Sequence, residues 1–285
     1  MTSTVIDLKD ITKSFVKGTR VLKSIDLQID DGEFVGLIGA SGSGKSTLIR
    51  IISGLETTDG NGGSVKLHGQ TMQQNGKRRR SQRAARKDLG VIFQQFNLVT
   101  RLSLLKNVLV GRLGRVASWR GTLGIFSHAD KIRALQNLER VGMVDFAHQR
   151  ASQLSGGQQQ RGAIARVLTQ QAKTILADEP IASLDPASAE NVMEILGDIN
   201  REDGTTIIVS LHQISHALKH CKRVIALKNG EIVFDGPTNT ITADDLSELY
   251  GIELDEAASQ TAGKTESTTV FPARGGRRAQ NKEAA

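Results

Sequence analysis

Gly32–Leu55, GEFVGLIGASGSGKSTLIRIISGL, is the stretch on which the fold turns. It opens with a short apolar run, the pattern of a central strand buried on both faces. A glycine-rich loop follows, and then STLIRIISGL, whose apolar residues recur with helical spacing. The stretch is therefore a strand–loop–helix unit. Gly39, Ala40, Ser41, Gly42, Ser43, Gly44, Lys45 and Ser46 match G-x-x-x-x-G-K-[ST] in the context that motif requires, with Thr47 next in the chain. Glycines let successive N–H groups turn inward around phosphate oxygens, and the helix behind aims its positive end at the same oxygens. Lys45 adds a full charge at the β- and γ-phosphates, and Ser46 offers a hydroxyl to Mg2+. The loop predicts ATP and Mg2+ as ligands.

Two further apolar runs end in polar groups. Thr174–Pro180, TILADEP, closes on acids. Asp178 ends the strand, where it can hold Mg2+ or its water shell. Glu179, one residue on, points differently and is the candidate base that polarises an attacking water. His212 ends TTIIVSLH. Ligands of open α/β sheets bind at C-terminal strand ends, so His212 is a candidate γ-phosphate contact.

Around these lie STVIDLKDITKSF and VLKSIDLQID, which read as strands, with a turn at Asp31-Gly32. GSVKLHGQ is strand-like, and RVIALKNGEIVFDG is a hairpin with an Asn-Gly turn. Residues 102–150 are mostly helical in pattern, and ASAENVMEILGDINRED is an amphipathic helix. The pattern predicts an α/β fold of the P-loop NTPase kind, with a mainly parallel core sheet, an N-terminal antiparallel β part and an inserted helical lobe at about 95–160. Residues 1–254 read as one domain. Residues 255–285 are polar and poor in large apolar side chains, and are expected to form a disordered tail.

Hydrophobic residues make up 38% of the 285-residue chain, enough for a core, and aromatics only 4%, so that core must be aliphatic. The net charge of +7 admits nucleic acid, an anionic membrane surface or a phosphate-bearing ligand. The basic run Lys77–Lys87, KRRRSQRAARK, is expected to be a solvated surface, with a membrane-subunit or anionic-lipid contact as the alternative. The single cysteine, Cys221, excludes an internal disulfide and a Cys-based zinc site, and is expected to be a packing residue in a reducing compartment. The first residues lack a signal-type apolar core, and no window approaches the roughly 18 apolar residues of a membrane span. The chain is expected to be soluble in itself and to dock on something in a membrane.

Leu154–Arg161, LSGGQQQR, holds no metal ligand, no nucleophile and no acid pair. Together with GASGSGKST and ILADEP it resembles the signature of the ATPase subunits of ABC transporters, over roughly residues 4 to 250. The resemblance implies an ABC ATPase domain in which Ser155, Gly156 and Gly157 close over the γ-phosphate held by a second subunit. The site would then be completed in an ATP-dependent homodimer. By the same resemblance Phe15 stacks on adenine, the alternative being a core Phe. Gln94 reaches Mg2+ and the attacking water, with Gln95 the alternative. Ser183–Asp185, SLD, crosses the dimer interface, and Asp185 counts among the nucleotide-binding residues. Phe96–Val99 faces a short helix of the membrane subunit. Gly162 departs from relatives, which often carry a β-branched or small apolar residue; glycine costs about 1 kcal/mol against alanine there, so a less firm helix start is expected.

Two uses of ATP stand against each other: a membrane-transport motor, and a non-transport ABC protein acting on nucleic acid or the ribosome. Relatives of the second kind carry coiled coils, zinc modules or paired cassettes, and this chain has one cassette and none of those additions. No nucleic-acid partner is therefore expected. FQQFNLVTRLSLLKNVLVGRLG, VGMVDFAHQRASQLSGGQQQR and LHQISHALKHCKRVIALKNGEIVFDG resemble the ATPase subunits of bacterial phosphonate importers, as does the spacer holding VASWRGTLGIFSHADK. That resemblance implies two transmembrane permease subunits, a periplasmic phosphonate-binding protein acting indirectly, and a peripheral place on the cytoplasmic side of the inner membrane. An ATPase of another small-solute importer, or of a lipoprotein-release exporter, remains the alternative.

Overall fold

The computed structural model describes residues 3–16, 18–60 and 62–250. The polar tail expected at 255–285 lies outside the described residues. In chain order the elements are β1 (Thr4–Val16), β2 (Thr19–Asp30), β3 (Phe34–Ile38), α1 (Lys45–Ile52), β4 (Ser64–Leu67), β5 (Gln70–Gln74), β6 (Lys77–Arg78), α2 (Gln82–Ala85), β7 (Leu89–Ile92), α3 (Leu104–Leu109), α4 (Ser118–Thr122), α5 (His128–Arg140), α6 (Gly156–Gln170), β8 (Thr174–Asp178), α7 (Pro186–Asp203), β9 (Thr206–Ser210), α8 (Ile214–His220), β10 (Arg223–Lys228), β11 (Glu231–Pro237) and α9 (Ala243–Tyr250).

The strands form two sheets. The antiparallel one runs β2-β1-β4-β5-β6, and the core sheet runs β11-β10-β3-β9-β8-β7. From β10 to β7 every pair in the core sheet is parallel, and only β11 joins antiparallel. All the parallel strands therefore end at one edge, where open α/β sheets bind ligands.

Alternation along the buried strands creates two cores, because successive side chains leave a strand on opposite faces. Val35, Leu37, Leu176, Ile208, Ile225 and Leu227 face α1 and the antiparallel sheet. Phe34, Ile38, Ile175, Ala177, Ile207 and Val209 face the opposite way, onto a core shared with α3, α5, α6 and α7. A sheet covered on both faces explains why FVGLI, TILAD and TIIVS are buried along their whole length.

Helices α3, α4 and α5 lie between β7 and α6 in the chain. Asn107 stitches the entry to this region: its amide accepts from Val99 N at 2.7 Å and donates to the carbonyls of Val99, Leu102 and Ser103.

The basic run is exposed at Lys77, Arg78, Arg79, Arg80, Arg83 and Lys87, as expected of a solvated surface. Part of it also serves the fold: Arg78 donates to Leu55 O and Arg86 to Ser53 O, beyond the end of α1, where cations suit the exposed carbonyls, and Gln82 and Ala85 are buried. One expectation needs correction: the start of α6 is not weak. Ser155 and Gln158 form a reciprocal capping box, with Ser155 N donating to Gln158 Oε1 at 2.9 Å and Gln158 N to Ser155 Oγ at 3.3 Å. Gly162 has a packing reason instead: a Cβ there would stand 2.5 Å from Leu104 Cδ1 of α3.

Candidate active site

The loop after β3 is held from three sides. Gly39 has φ +146°, and a Cβ on it would collide with Leu227 O of β10, so only glycine fits there. Its N–H donates to Tyr250 Oη at 3.1 Å. At the turn between β10 and β11, Asn229 and Gly230 have φ of 50° and 82°, the geometry of a tight hairpin. Gly230 N donates to Ser43 O at 3.1 Å, while Lys23 N of β2 donates to Gly230 O at 2.9 Å. The Asn-Gly turn thus braces the phosphate loop against the antiparallel sheet.

Inside the loop, Lys45 is 3% exposed. Its ammonium donates to Gly39 O at 2.7 Å and Ala40 O at 3.1 Å. Burial lowers its pKa, and the nearby Glu179 and Asp178 pull the other way. Ser43 Oγ is buried without a hydrogen-bond partner. An orphaned hydroxyl beside a lysine held only by carbonyls fits a site built for an anionic ligand. Ala40, Ser41 and Gly42 are exposed at the loop's tip, and Thr47 is half-buried on α1.

Across the loop, Asp178 Oδ1 accepts from Ser46 Oγ at 2.8 Å and from Ser210 Oγ at 3.0 Å. These are oxygen donors, the set a hard cation such as Mg2+ requires. Ser210 Oγ also accepts from Glu179 N at 2.9 Å. Glu179 holds φ of 50°, a left-handed backbone that costs a non-glycine residue roughly 1–3 kcal/mol. This turn carries its carboxylate to His212, with Nε2 to Oε1 at 2.6 Å. Ser46, Asp178, Glu179 and His212 therefore meet at one edge of the sheet.

Among the described residues, no hydrogen bond or ion pair joins the other candidate residues to this group. Phe15 is 58% exposed, which removes the core alternative, and Lys13 Nζ sits 5.0 Å from its ring centroid. Gln94 lies exposed just beyond β7, the neighbour of β8. Ser155, Gly156 and Gly157 open α6, with Ser188 of α7 packed 2.6 Å from where a Gly157 Cβ would be. Asp185 caps α7 by accepting from Ser188 N at 3.0 Å. Hydrogen bonds from Ser188 hold its carboxyl below the usual range. Among the described residues, no hydrogen bond joins Ser155–Gly157 to the loop at 39–47.

Ser210, Tyr250 and Gly230 were missed as parts of the site. Ser210 carried a signal: a polar residue closing an otherwise apolar strand, two positions before His212 and hence on the same face. Tyr250 carried none, because its contact with Gly39 spans 211 residues.

Comparison with known proteins places this geometry. The family model for ABC transporters matches residues 22–182. Phosphonates import ATP-binding protein PhnC 1 of Pseudomonas aeruginosa is 56% identical over 254 residues, covering 89% of this chain and 91% of the relative. The phosphonates import ATP-binding protein PhnC of Stutzerimonas stutzeri is 55% identical over 251 residues, covering 88% and 91%. Among solved structures, the dimeric post-hydrolysis cassette MJ0796 bound to ADP and Pi is 36% identical, with a TM-score of 0.70 over 83% of this chain and 100% of that one.

Proposed function

The chain belongs to the ABC transporter family, and from that premise we infer that it is the ATP-binding and ATP-hydrolysing subunit of a phosphonate importer. The observation that carries the reading is the meeting of Ser46, Asp178, Glu179 and His212 at the strand ends beside a phosphate loop, in a chain 56% identical to a phosphonate-import subunit over nearly its whole length.

The triphosphate lies in the loop Gly39–Ser46, where its oxygens replace the carbonyls that now accept from Lys45. Ser46 and Asp178 are the residues that would hold Mg2+, with Gln94 completing the set. The ion would neutralise charge on the β- and γ-phosphates. Glu179 accepts a proton from the water that attacks the γ-phosphorus as the bond to the bridging oxygen breaks. His212, donating to a γ-phosphate oxygen, lets go of Glu179 and frees that carboxylate to act as base. Phe15 offers an exposed face to adenine.

Ser155, Gly156, Gly157 and Asp185 serve the site of a second copy, which is why they stand apart from their own loop. A solved relative is described as dimeric, and a homodimer closing on ATP fits this arrangement. No described helix is long and apolar enough to cross a membrane. As the counterpart of a phosphonate-import subunit, the chain works peripherally beneath two permease subunits on the cytoplasmic side, with a periplasmic phosphonate-binding protein upstream. A groove of about 800 Å3, lined by Val91, Phe93, Asn97, Val110, Leu113 and Arg166, offers a permease helix a seat. Arg166 donates to Asn97 O and Phe96 O, tying this rim to α6.

Deleting the gene should abolish growth on a phosphonate as sole phosphorus source and spare growth on phosphate. Normal uptake of labelled phosphonate by that strain, with no second importer present, would refute the cargo.

A further inference from the structure

A second cluster of ligating side chains lies away from the nucleotide site. Glu190 stands on α7. His216 and His220 stand four residues apart on α8, so both face the same neighbour. His220 Nε2 is 3.0 Å from Glu190 Oε1, and His216 Nδ1 is 3.6 Å from Glu190 Oε2. One ligand atom from each residue falls within 4.8 Å of the other two. Ligand atoms about 2.0–2.2 Å from a shared ion at tetrahedral or octahedral angles are roughly 3–3.5 Å apart, so the span must close by roughly 1 Å or more, a side-chain rotation, for the three groups to converge on a single ion.

A further feature points to a ligand rather than to packing. His220 Nε2 is buried and makes no directed hydrogen bond, although Glu190 Oε1 lies 3.0 Å away. The cluster is sheltered on α8, with side-chain exposures of 15% and 11% for the two histidines, and more open at Glu190, 30%.

We propose that Glu190, His216 and His220 bind a borderline divalent transition cation, with Zn2+ the best match, which joins α8 to α7. Two imidazoles and one carboxylate suit Zn2+ and its neighbours rather than Mg2+ or Ca2+, and three protein ligands leave one position for water. Lys219 is the resident competitor: its ammonium lies 2.6 Å from Glu190 Oε1, on a side chain 63% exposed and free to swing into solvent. The ion would tie the helix that follows His212 to the helix that Asp185 caps, joining the two segments that flank the nucleotide site.

The test uses untagged full-length protein, stripped with EDTA and then titrated with zinc chloride near neutral pH. Metal content after dialysis and calorimetry give stoichiometry and affinity. One Zn2+ per chain is expected. It should bind at least 30-fold more weakly to the His216→Asn/His220→Gln double variant and at least as tightly to Lys219→Ala. His212→Ala should keep the site, separating it from the Glu179–His212 pair. Cobalt(II) in place of zinc should give visible ligand-field bands in the unaltered chain and none in the double variant. Far-UV circular dichroism and the metal-free Tm report whether the double variant folds. If it does not, His216→Asn alone serves, with the same expected weakening. Equal binding by the folded variant and the unaltered chain, or no zinc bound by the unaltered chain at up to 1,000-fold excess, would overturn the proposal and leave a charge network around Glu190.

Discussion

Glu179 Oε1 and His212 Nε2 are 2.6 Å apart, so the candidate base and the candidate γ-phosphate contact occupy each other. The contact links the turn after β8 to the end of the neighbouring strand β9. A γ-phosphate oxygen competes with Glu179 for the histidine. His212→Ala should therefore lower kcat by about 10²-fold or more while ATP affinity stays within a few-fold, because the lost contact matters at the reacting phosphate. Phosphate release and equilibrium ATP binding check both halves. A weakened affinity with unchanged kcat would contradict it.

Ser210 supports both acids. It donates to Asp178 Oδ1 and accepts from Glu179 N. Ser210→Ala strands a buried N–H and removes a donor, which should cost about 1–3 kcal/mol of stability. It should also raise the Mg2+ concentration needed for half-maximal ATPase. Urea unfolding and a Mg2+ titration measure the two effects.

Gly39 and Gly42 both have positive φ, but only Gly39 meets another backbone atom, Leu227 O, where a side chain would be. Gly42→Ala should cost about 1–2 kcal/mol through backbone conformation alone. Gly39→Ala should cost clearly more and abolish ATP binding, since β10 and the loop must separate. Thermal unfolding of both variants ranks them, and equal costs would show that the collision is relieved cheaply.

Cys221 is buried against Gly36 of β3, and burial pushes its thiol pKa up to about 12. The folded chain holds the thiol proton more tightly than the unfolded chain, whose cysteine titrates near 8.5. The stability this adds is full below pH about 8.5 and declines as pH rises toward 12. At pH 8 a thiol reagent should label Cys221 only as fast as the protein unfolds. Rapid labelling of the native chain would contradict its burial.

The split site makes its own prediction. Lys45→Ala and Ser155→Ala should each depress ATPase strongly as homodimers. A mixture of the two should recover part of the activity, because each heterodimer then holds one intact composite site. No recovery on mixing would count against completion of the site by a second copy.

Much of this arrangement is readable along the chain, because the phosphate loop, TILADEP and TTIIVSLH are contiguous and their chemistry sits at the ends of apolar strands. The parallel core sheet follows from those same fully apolar runs. What could not be read is long-range. The Asn-Gly turn at 229–230 was visible as a hairpin, yet nothing local says that its tip braces Ser43. Tyr250 reaching Gly39, and Arg78 and Arg86 serving the end of α1, depend on how separate segments pack. Gly162 read as a propensity defect because its reason, Leu104, lies on another helix.

The central claim is that Glu179 drives ATP hydrolysis coupled to phosphonate import. Its most direct test is phosphate release by the importer assembled in liposomes, with and without phosphonate-loaded binding protein, for the unaltered chain and for Glu179→Gln. The account predicts phosphonate-stimulated turnover in the first and a loss of about 10² to 10⁴-fold in the second, with ATP still bound. Turnover within a few-fold of normal in the Glu179→Gln complex, or a rate indifferent to phosphonate in the unaltered one, would contradict it.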